Sequence, residues 1–306
     1  MGSNLQTSAK TRRLREALTK HTVAIPGAFN ALTAIQIEAT GFEVLYISGA
    51  AMSADRGLPD LGLLSLTEVA AEASLIANAV SIPALVDADT GYGPPLMVSR
   101  AVHEFERAGL AGMQIEDQEL PKKCGHLPGK TLVSIGEMVT KIHAAVQARK
   151  DPDFLVVART DARSVEGLEG AIKRGQAYVE AGADALFPEA LESAEEFQLF
   201  AQTLNKFGIA VPLIANMTEF GKTPYLSVEE FEALGYRGVL FPVTTLRVAA
   251  RAVAKLLQEL KTFGTQRDWL NRIHTRQEIY DLLRYEEYED QERRLYDGPS
   301  HTDPST

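Results

Sequence analysis

The sequence predicts an α/β protein built as a (β/α)8 TIM-type barrel, on three observations. Short apolar or β-branched runs recur along the chain, a helical pattern follows each, and there are eight such runs. Near-continuous hydrophobicity is what a parallel strand buried on both faces requires. Alternation of strand and helix gives a parallel sheet, and eight units close it into a barrel. A doubly wound open sheet shares the alternation, but no glycine-rich fingerprint follows the first run. The 306 residues fit one barrel of about 250 plus a C-terminal helical extension. The chain therefore reads as a single domain, 1–306, with the extension at 263–296.

In chain order, the first 20 residues carry Lys10, Arg12, Arg13, Arg15 and Lys20 against Glu16. They read as a short amphipathic helix before the first strand, with an organelle-targeting segment as the alternative. Strands are expected at 22–25, 43–47, 83–86, 112–115, 154–158, 185–187, 212–215 and 238–241. Helices are expected at 66–78, 95–108, 134–149, 167–181, 194–205 and 227–234. Ser134 with Glu137, and Ser227 with Glu230, match the capping box. Ala-Gly pairs at 108–109 and 181–182 end helices just before a strand. Two helices follow the last strand, at 244–261 and 267–292, and a barrel needs only one. The surplus helix repeats Leu270, Ile273, Ile279, Leu282 and Leu283, a face too apolar for water. A neighbouring subunit would bury it, which makes the chain a homo-oligomer. The tail at 298–306 is polar and reads as disordered.

Composition narrows the partners. There are 31 basic and 41 acidic residues, a net charge of −10, and no basic block able to track a phosphate backbone, so nucleic acid is excluded. No apolar run approaches the ~20 residues that span a bilayer. The single cysteine, Cys124, rules out an intrachain disulfide and suits a reducing, cytoplasmic setting. An acidic chain repels anionic substrates at long range, so a site for a small polycarboxylate must supply its own cations.

Barrel enzymes carry their chemistry at the C-terminal ends of the strands. Here those ends are polar: Tyr46 to Ala50, Asp87 to Asp89, Glu116-Asp117, Arg159 to Asp161, Pro188-Glu189, and Asn216 to Glu219. Asp87 and Asp89 stand two apart and point the same way, and Glu116 lies on the adjacent strand. Such carboxylates repel unless a cation neutralises them, and Mg2+ (or Mn2+) is the simplest choice. Helix capping or solvated loop acids are the plainer alternative. Cys124 sits among Lys122, Lys123 and His126, a setting that favours the thiolate, on a loop long enough to act as a lid. Arg159 at a strand end suits a bidentate carboxylate clamp. Asn216 and Thr218 can donate to a carboxylate.

Lys122-Lys123-Cys124-Gly125-His126, with Asp87-Ala88-Asp89 and Ser48-Gly49-Ala50 upstream, resembles the isocitrate lyase and phosphoenolpyruvate mutase superfamily. Arg159-Thr160-Asp161, Phe187-Pro188-Glu189, Thr218-Glu219-Phe220-Gly221 and Thr275-Arg276-Gln277-Glu278 look like its 2-methylisocitrate lyase branch. Ala50 departs from the pattern, standing where a second glycine is expected. The resemblance covers nearly the whole chain. It implies a Mg2+-dependent carbon–carbon lyase with Asp87, Asp89 and Glu116 at the metal. It implies substrate contacts from Ser48, Gly49, Ala50, Gly125, Arg159, Glu189, Asn216, Met217 and Thr218, with Arg247 and Arg276 completing the anion cage. Retro-aldol cleavage of 2-methylisocitrate to pyruvate and succinate would use Tyr46 as base and Cys124 as general acid, with His126 and Arg159 also in the catalytic set. A tetramer of helix-swapped dimers is also implied. Isocitrate or dimethylmalate lyase and oxaloacetate hydrolase share the scaffold, and an inactive carboxylate-binding barrel is the reading from a different class.

Overall fold

The strands form at β1 (Val23–Pro26), β2 (Leu45–Ile47), β3 (Ala84–Asp87), β4 (Gly112–Glu116), β5 (Leu155–Thr160), β6 (Ala185–Pro188), β7 (Ile214–Asn216) and β8 (Gly238–Phe241). In the computed structural model, which describes residues 2–297, β2-β3-β4-β5-β6 form one parallel sheet and β1-β8-β7 another. Parallel bridges Gly27–Tyr46 and Leu186–Leu213 join the two sheets into a closed ring. The expected barrel is the fold that forms.

The helices are α1 (Gly2–Lys20), α2 (Ala31–Ala39), α3 (Gly49–Asp55), α4 (Leu66–Asn78), α5 (Pro95–Arg107), α6 (Ile135–Ala148), α7 (Arg163–Glu180), α8 (Ala194–Lys206), α9 (Val228–Ala233), α10 (Thr244–Phe263), α11 (Arg276–Leu282) and α12 (Tyr285–Asp297). Side-chain caps set several starts: Ser134 accepts from the Glu137 amide, and Ser227 with Glu230 forms the full capping box. α7 carries a short helical turn from Arg163 ahead of the helix expected at 167–181, and the non-helical Gly167 (φ 78°, ψ −179°) separates the two. One expectation needs correction. The single helix expected over 267–292 is broken in two. Thr275 and Glu278 build a new capping box that opens α11, and Arg284 takes φ 53° before α12. The polar tail at 298–306 lies outside the described residues.

The chain divides into two compact units, Met1–Val248 and Ala249–Thr306. In the second, the Trp269 indole N–H donates to Glu259 Oε2 at 2.5 Å, and Tyr280 stacks on Tyr285 with ring centroids 4.5 Å apart.

In the first unit, strand alternation splits the side chains into two layers. Outward residues pack under the helices as the larger core. Inward residues Ile25, Tyr46, Leu85, Val157, Phe187 and Leu240 form a second core inside the ring, and Leu14 and Leu18 of α1 belong to it, both fully buried. α1 thus plugs the lower end of the barrel. Its cations bind the chain itself: Lys10 Nζ donates to the carbonyls of Ala77 and Val80 at 2.7 and 2.8 Å, and Arg15 pairs with Asp184 at 2.9 Å. The helical reading of this segment holds. No helix among the described residues is long and apolar enough to cross a membrane.

Candidate active site

The inward rows change character toward the strand ends. Leu85 gives way to Asp87, Val157 to Arg159, Phe187 to Glu189 and Ile214 to Asn216, each two residues on. The same alternation that packs the interior therefore aims these polar groups at one pocket in the barrel mouth, which Tyr46, Cys124, Gly125 and His126 also line.

On one side lies an acid cluster. Asp87 Oδ2 accepts from the Gly49 amide at 3.2 Å, and its Oδ1 from the Asp89 amide at 3.0 Å. Asp89, at φ 47°, turns to the buried ammonium of Lys122 at 2.5 Å, which also meets Asp60 at 2.6 Å. Burial lifts Asp89 to about 6 against the pull of Lys122. Burial works to lower Lys122, but Glu116 and Asp89 hold it well above the usual lysine range. Tyr46, 2% exposed, donates to Gln114 Oε1 at 2.7 Å. Burial, then the Asp87 charge, push its phenol well above the usual range. The phenol there serves Gln114 as a hydrogen-bond donor.

The other side centres on Arg159. Its guanidinium forks onto Asp161, with Nε 2.9 Å from Oδ2 and Nη2 3.1 Å from Oδ1. Nη1 lies 3.2 Å from Glu116, and Nε 3.5 Å from Glu189. The bidentate partner is thus the chain's own Asp161, and only the remaining N–H groups are left for a ligand. Burial would raise Glu189, but Arg159 and then His126 hold it down at about 2. Asn216 Nδ2 donates to both Glu189 oxygens at 3.2 Å, while its buried Oδ1 has no donor. His126 Nδ1 accepts the Lys222 amide at 3.0 Å, so its proton sits on Nε2, 2.9 Å from Glu189 Oε1.

Cys124 is exposed on its loop. The basic residues that flank it in sequence are engaged elsewhere: Lys122 with the acids, Lys123 with the Gly129 carbonyl at 2.7 Å, and His126 with Glu189. Gly125 admits no side chain, because a Cβ there would stand 2.4 Å from Glu189 Cγ and 2.6 Å from Arg159 Nη2.

The donor set fits a hard cation, though not as a three-carboxylate cage. Among the described residues no group of three or more His, Cys, Asp or Glu side chains is arranged to hold a metal ion. The reason is that Asp89 turns to Lys122 and Glu116 to Arg159, which leaves Asp87 facing the pocket. Both Glu116 oxygens are buried without a hydrogen bond, and burial pushes that carboxyl well above the usual range despite Arg159. Mg2+ takes one or two carboxylates and completes its shell with water and substrate oxygens, which suits such a site.

The chain matches the phosphoenolpyruvate phosphomutase family over residues 14–261. It belongs to that family. It is 53% identical over 277 residues to the 2-methylisocitrate lyase of Aeropyrum pernix, covering 90% of this chain and 88% of that protein. A crystal structure of 2,3-dimethylmalate lyase, described as a PEP mutase/isocitrate lyase superfamily member, superposes with a TM-score of 0.86 at 36% identity, covering 97% of this chain and 98% of that one. A phosphonopyruvate hydrolase in complex with oxalate and Mg2+ superposes with a TM-score of 0.84 at 32% identity, covering 93% and 98%.

Within this phosphomutase-family barrel most of the expected residues meet. Ser48 caps α3 at the mouth, with Gly49 and Ala50 in its first turn, and Ser48, Ala50, Thr218 and Arg247 line the pocket. Arg247 is pinned to Glu219 at 2.7 Å and lies over the Phe220 ring. Met217 does not line that pocket. It is 4% exposed and packs in the outer core, because alternation turns it away from the side that Asn216 faces. Arg276 opens α11 in the second unit. Sequence reasoning missed Asp60, although the glycine- and proline-rich stretch 57–62 marks a turning loop. It also missed the network beneath Arg159. Asp117 there accepts from Thr160 and Tyr178, each at 2.7 Å, and from the Asp161 amide at 2.9 Å. These partners lie 43 to 61 residues away in the chain, so no local spacing marks them.

Proposed function

We propose that this chain is a lyase that cleaves 2-methylisocitrate to pyruvate and succinate. The carrying observation is the placing of Cys124. The chain's one cysteine stands on a loop that docks through Gly125 and His126 onto Arg159 and Glu189 at the barrel mouth. The identity to a protein named for this activity supports the reading. Lys122, Lys123, Arg159 and Arg247 line the pocket, but each is already engaged: Lys122 with Asp60 and Asp89, Arg159 with Asp161, Glu116 and Glu189, Arg247 with Glu219, and Lys123 with the Gly129 carbonyl. A substrate with three carboxylates therefore needs added positive charge there.

Asp87 would hold a divalent cation, Mg2+ or Mn2+, directly, with Asp89 and Glu116 acting through water. Such a cation, when bound, polarises the oxygen that becomes the pyruvate carbonyl and acidifies the substrate hydroxyl. The chain's own groups do the rest. Ser48, the Ala50 amide and Thr218 bind carboxylates, while the Gly49 amide and Asn216 hold Asp87 and Glu189 in place, and the free N–H groups of Arg159 meet charge building on the nascent succinate. The hydroxyl proton passes to water at the open mouth, the C–C electron pair passes to the carbon beside that carboxylate, and the Cys124 thiol protonates that carbon and regains its own proton from water. Phe187 and Leu240 supply an apolar wall for the methyl group.

Pyruvate and succinate release from 2-methylisocitrate tests the reading. The solved 2,3-dimethylmalate lyase motivates a second substrate, in which a methyl group stands where 2-methylisocitrate carries a carboxymethyl. A kcat/KM higher for 2,3-dimethylmalate would transfer the assignment to it. Chelation is expected to abolish activity, and added Mg2+ to restore it. Cation affinity falls when carboxylates that face the ion, directly or through a bridging water, take up protons, and burial lifts Asp89 to about 6. Cation affinity by calorimetry should therefore fall between about pH 8 and about pH 5. Full turnover after verified metal removal, or an affinity flat across that window, would count against the site.

We also infer a homo-oligomer, a tetramer in which the extension packs on a partner barrel and Arg276 completes its anion cage. Leu270, Ile273 and Leu283 are exposed, and the single cysteine favours a reducing, cytoplasmic compartment. Light scattering over a dilution series should give a mass that is a multiple of 33.4 kDa. A fully active monomer at nanomolar concentration would refute it.

A further inference from the structure

Lys130 has no part in the reaction as described, yet its side chain is only 1% exposed, as deeply buried as the core. Its ammonium donates to the carbonyl of Gly125, the residue after Cys124, and sits 2.9 Å from Asp161 Oδ1. Asp161 is the carboxylate onto which Arg159 forks. One ammonium therefore spans the cysteine loop and the arginine's own support. The loop's other lysines do not reach Asp161: Lys123 folds back on Gly129, and Lys122 faces the acid cluster. The joint lies where the tolerance is smallest, since Gly125 packs against Arg159 Nη2 and Glu189 too tightly for a Cβ. Beneath it the anchor is rigid, because Asp117 holds the Asp161 amide and is itself held by Thr160, Tyr178 and Arg174.

We propose that Lys130 is a positioning residue that couples docking of the Cys124 loop to alignment of Arg159. When the loop seats, the Gly125 carbonyl reaches the ammonium already paired to Asp161. The thiol and the guanidinium then take up their places together. When the loop lifts, the ammonium stays with Asp161, and the tie between the loop and the support of Arg159 is lost. This rests on the lyase reading for its kinetic arm only.

The test compares the full-length chain with Lys130→Met and Lys130→Gln by hydrogen exchange and steady-state kinetics. Lys130→Gln keeps a donor of similar reach without the charge, and it carries both readouts should Lys130→Met fail to fold. Faster exchange is expected in 118–131 and around 159–161, with exchange in α1 unchanged. A fall in kcat of about 10²-fold is expected, the scale for a reacting group misplaced by ~1 Å, with KM for 2-methylisocitrate little altered. Unchanged loop exchange overturns the coupling. So does faster exchange throughout the barrel, which would make Lys130 a general stabiliser. If the unaltered chain does not turn over 2-methylisocitrate, the exchange arm still decides the coupling, so the two failures are told apart.

Discussion

Cys124→Ser is expected to lower kcat by roughly 10²–10⁴-fold, the range for losing a general acid, while leaving substrate affinity nearly intact. The side chain is exposed and its neighbours Lys122, Lys123 and His126 bind other groups. The exchange of sulfur for oxygen therefore disturbs no packing and no ion pair, and stability should stay within about 0.5 kcal/mol, as for other surface substitutions. What changes is the acid, because a hydroxyl gives up its proton far less readily than a thiol. Calorimetric binding of 2-methylisocitrate alongside kcat separates the effects. A serine variant with near-normal kcat would remove Cys124 from the proton transfer, and lost binding would make it a substrate contact instead.

Arg159→Met should cost both activity and stability. Its guanidinium is the common partner of Asp161, Glu116 and Glu189 inside the barrel. Removing one member of a buried ion pair costs about 3–5 kcal/mol, since the charges left behind are uncompensated. Lys130 still faces Asp161, which places the loss toward the lower end. The kcat/KM should fall by about 10²–10³-fold, the scale for losing a preorganised donor. Arg159→Lys keeps the charge without the fork onto Asp161, and should recover more stability than activity. Denaturant melts and kinetics on both variants check this. Equal recovery of the two would show that Asp161 does not set the arginine's orientation.

The barrel was legible because its signals are local. Eight apolar runs, the capping serines before α6 and α9, and the alternation within each strand all lie within a few residues. The polar strand ends pointed to the mouth for the same reason. Three features were not legible. Met217 looked like a site residue beside Asn216 and Thr218, and only the facing of the strand end separates it from them. The helix over 267–292 has one continuous pattern, and its break rests on a capping box and a left-handed Arg284 that periodicity does not display. Asp60 and Lys130 act on partners brought near by the fold: Lys122 lies 62 residues on from Asp60 (122 − 60), and Asp161 lies 31 residues on from Lys130.

The α1 plug makes the barrel a chamber with a sealed floor. Leu14 and Leu18 fill its lower end with hydrocarbon, so a charged product finds no exit there. Substrate must enter, and both products must leave, past the same flap that carries Cys124. Traffic through a single doorway runs in sequence. The product nearer the loop departs first, and the one bound deeper waits behind it. One mouth thus serves substrate and both products, and product-inhibition kinetics are expected to show one product competing with substrate and the other not.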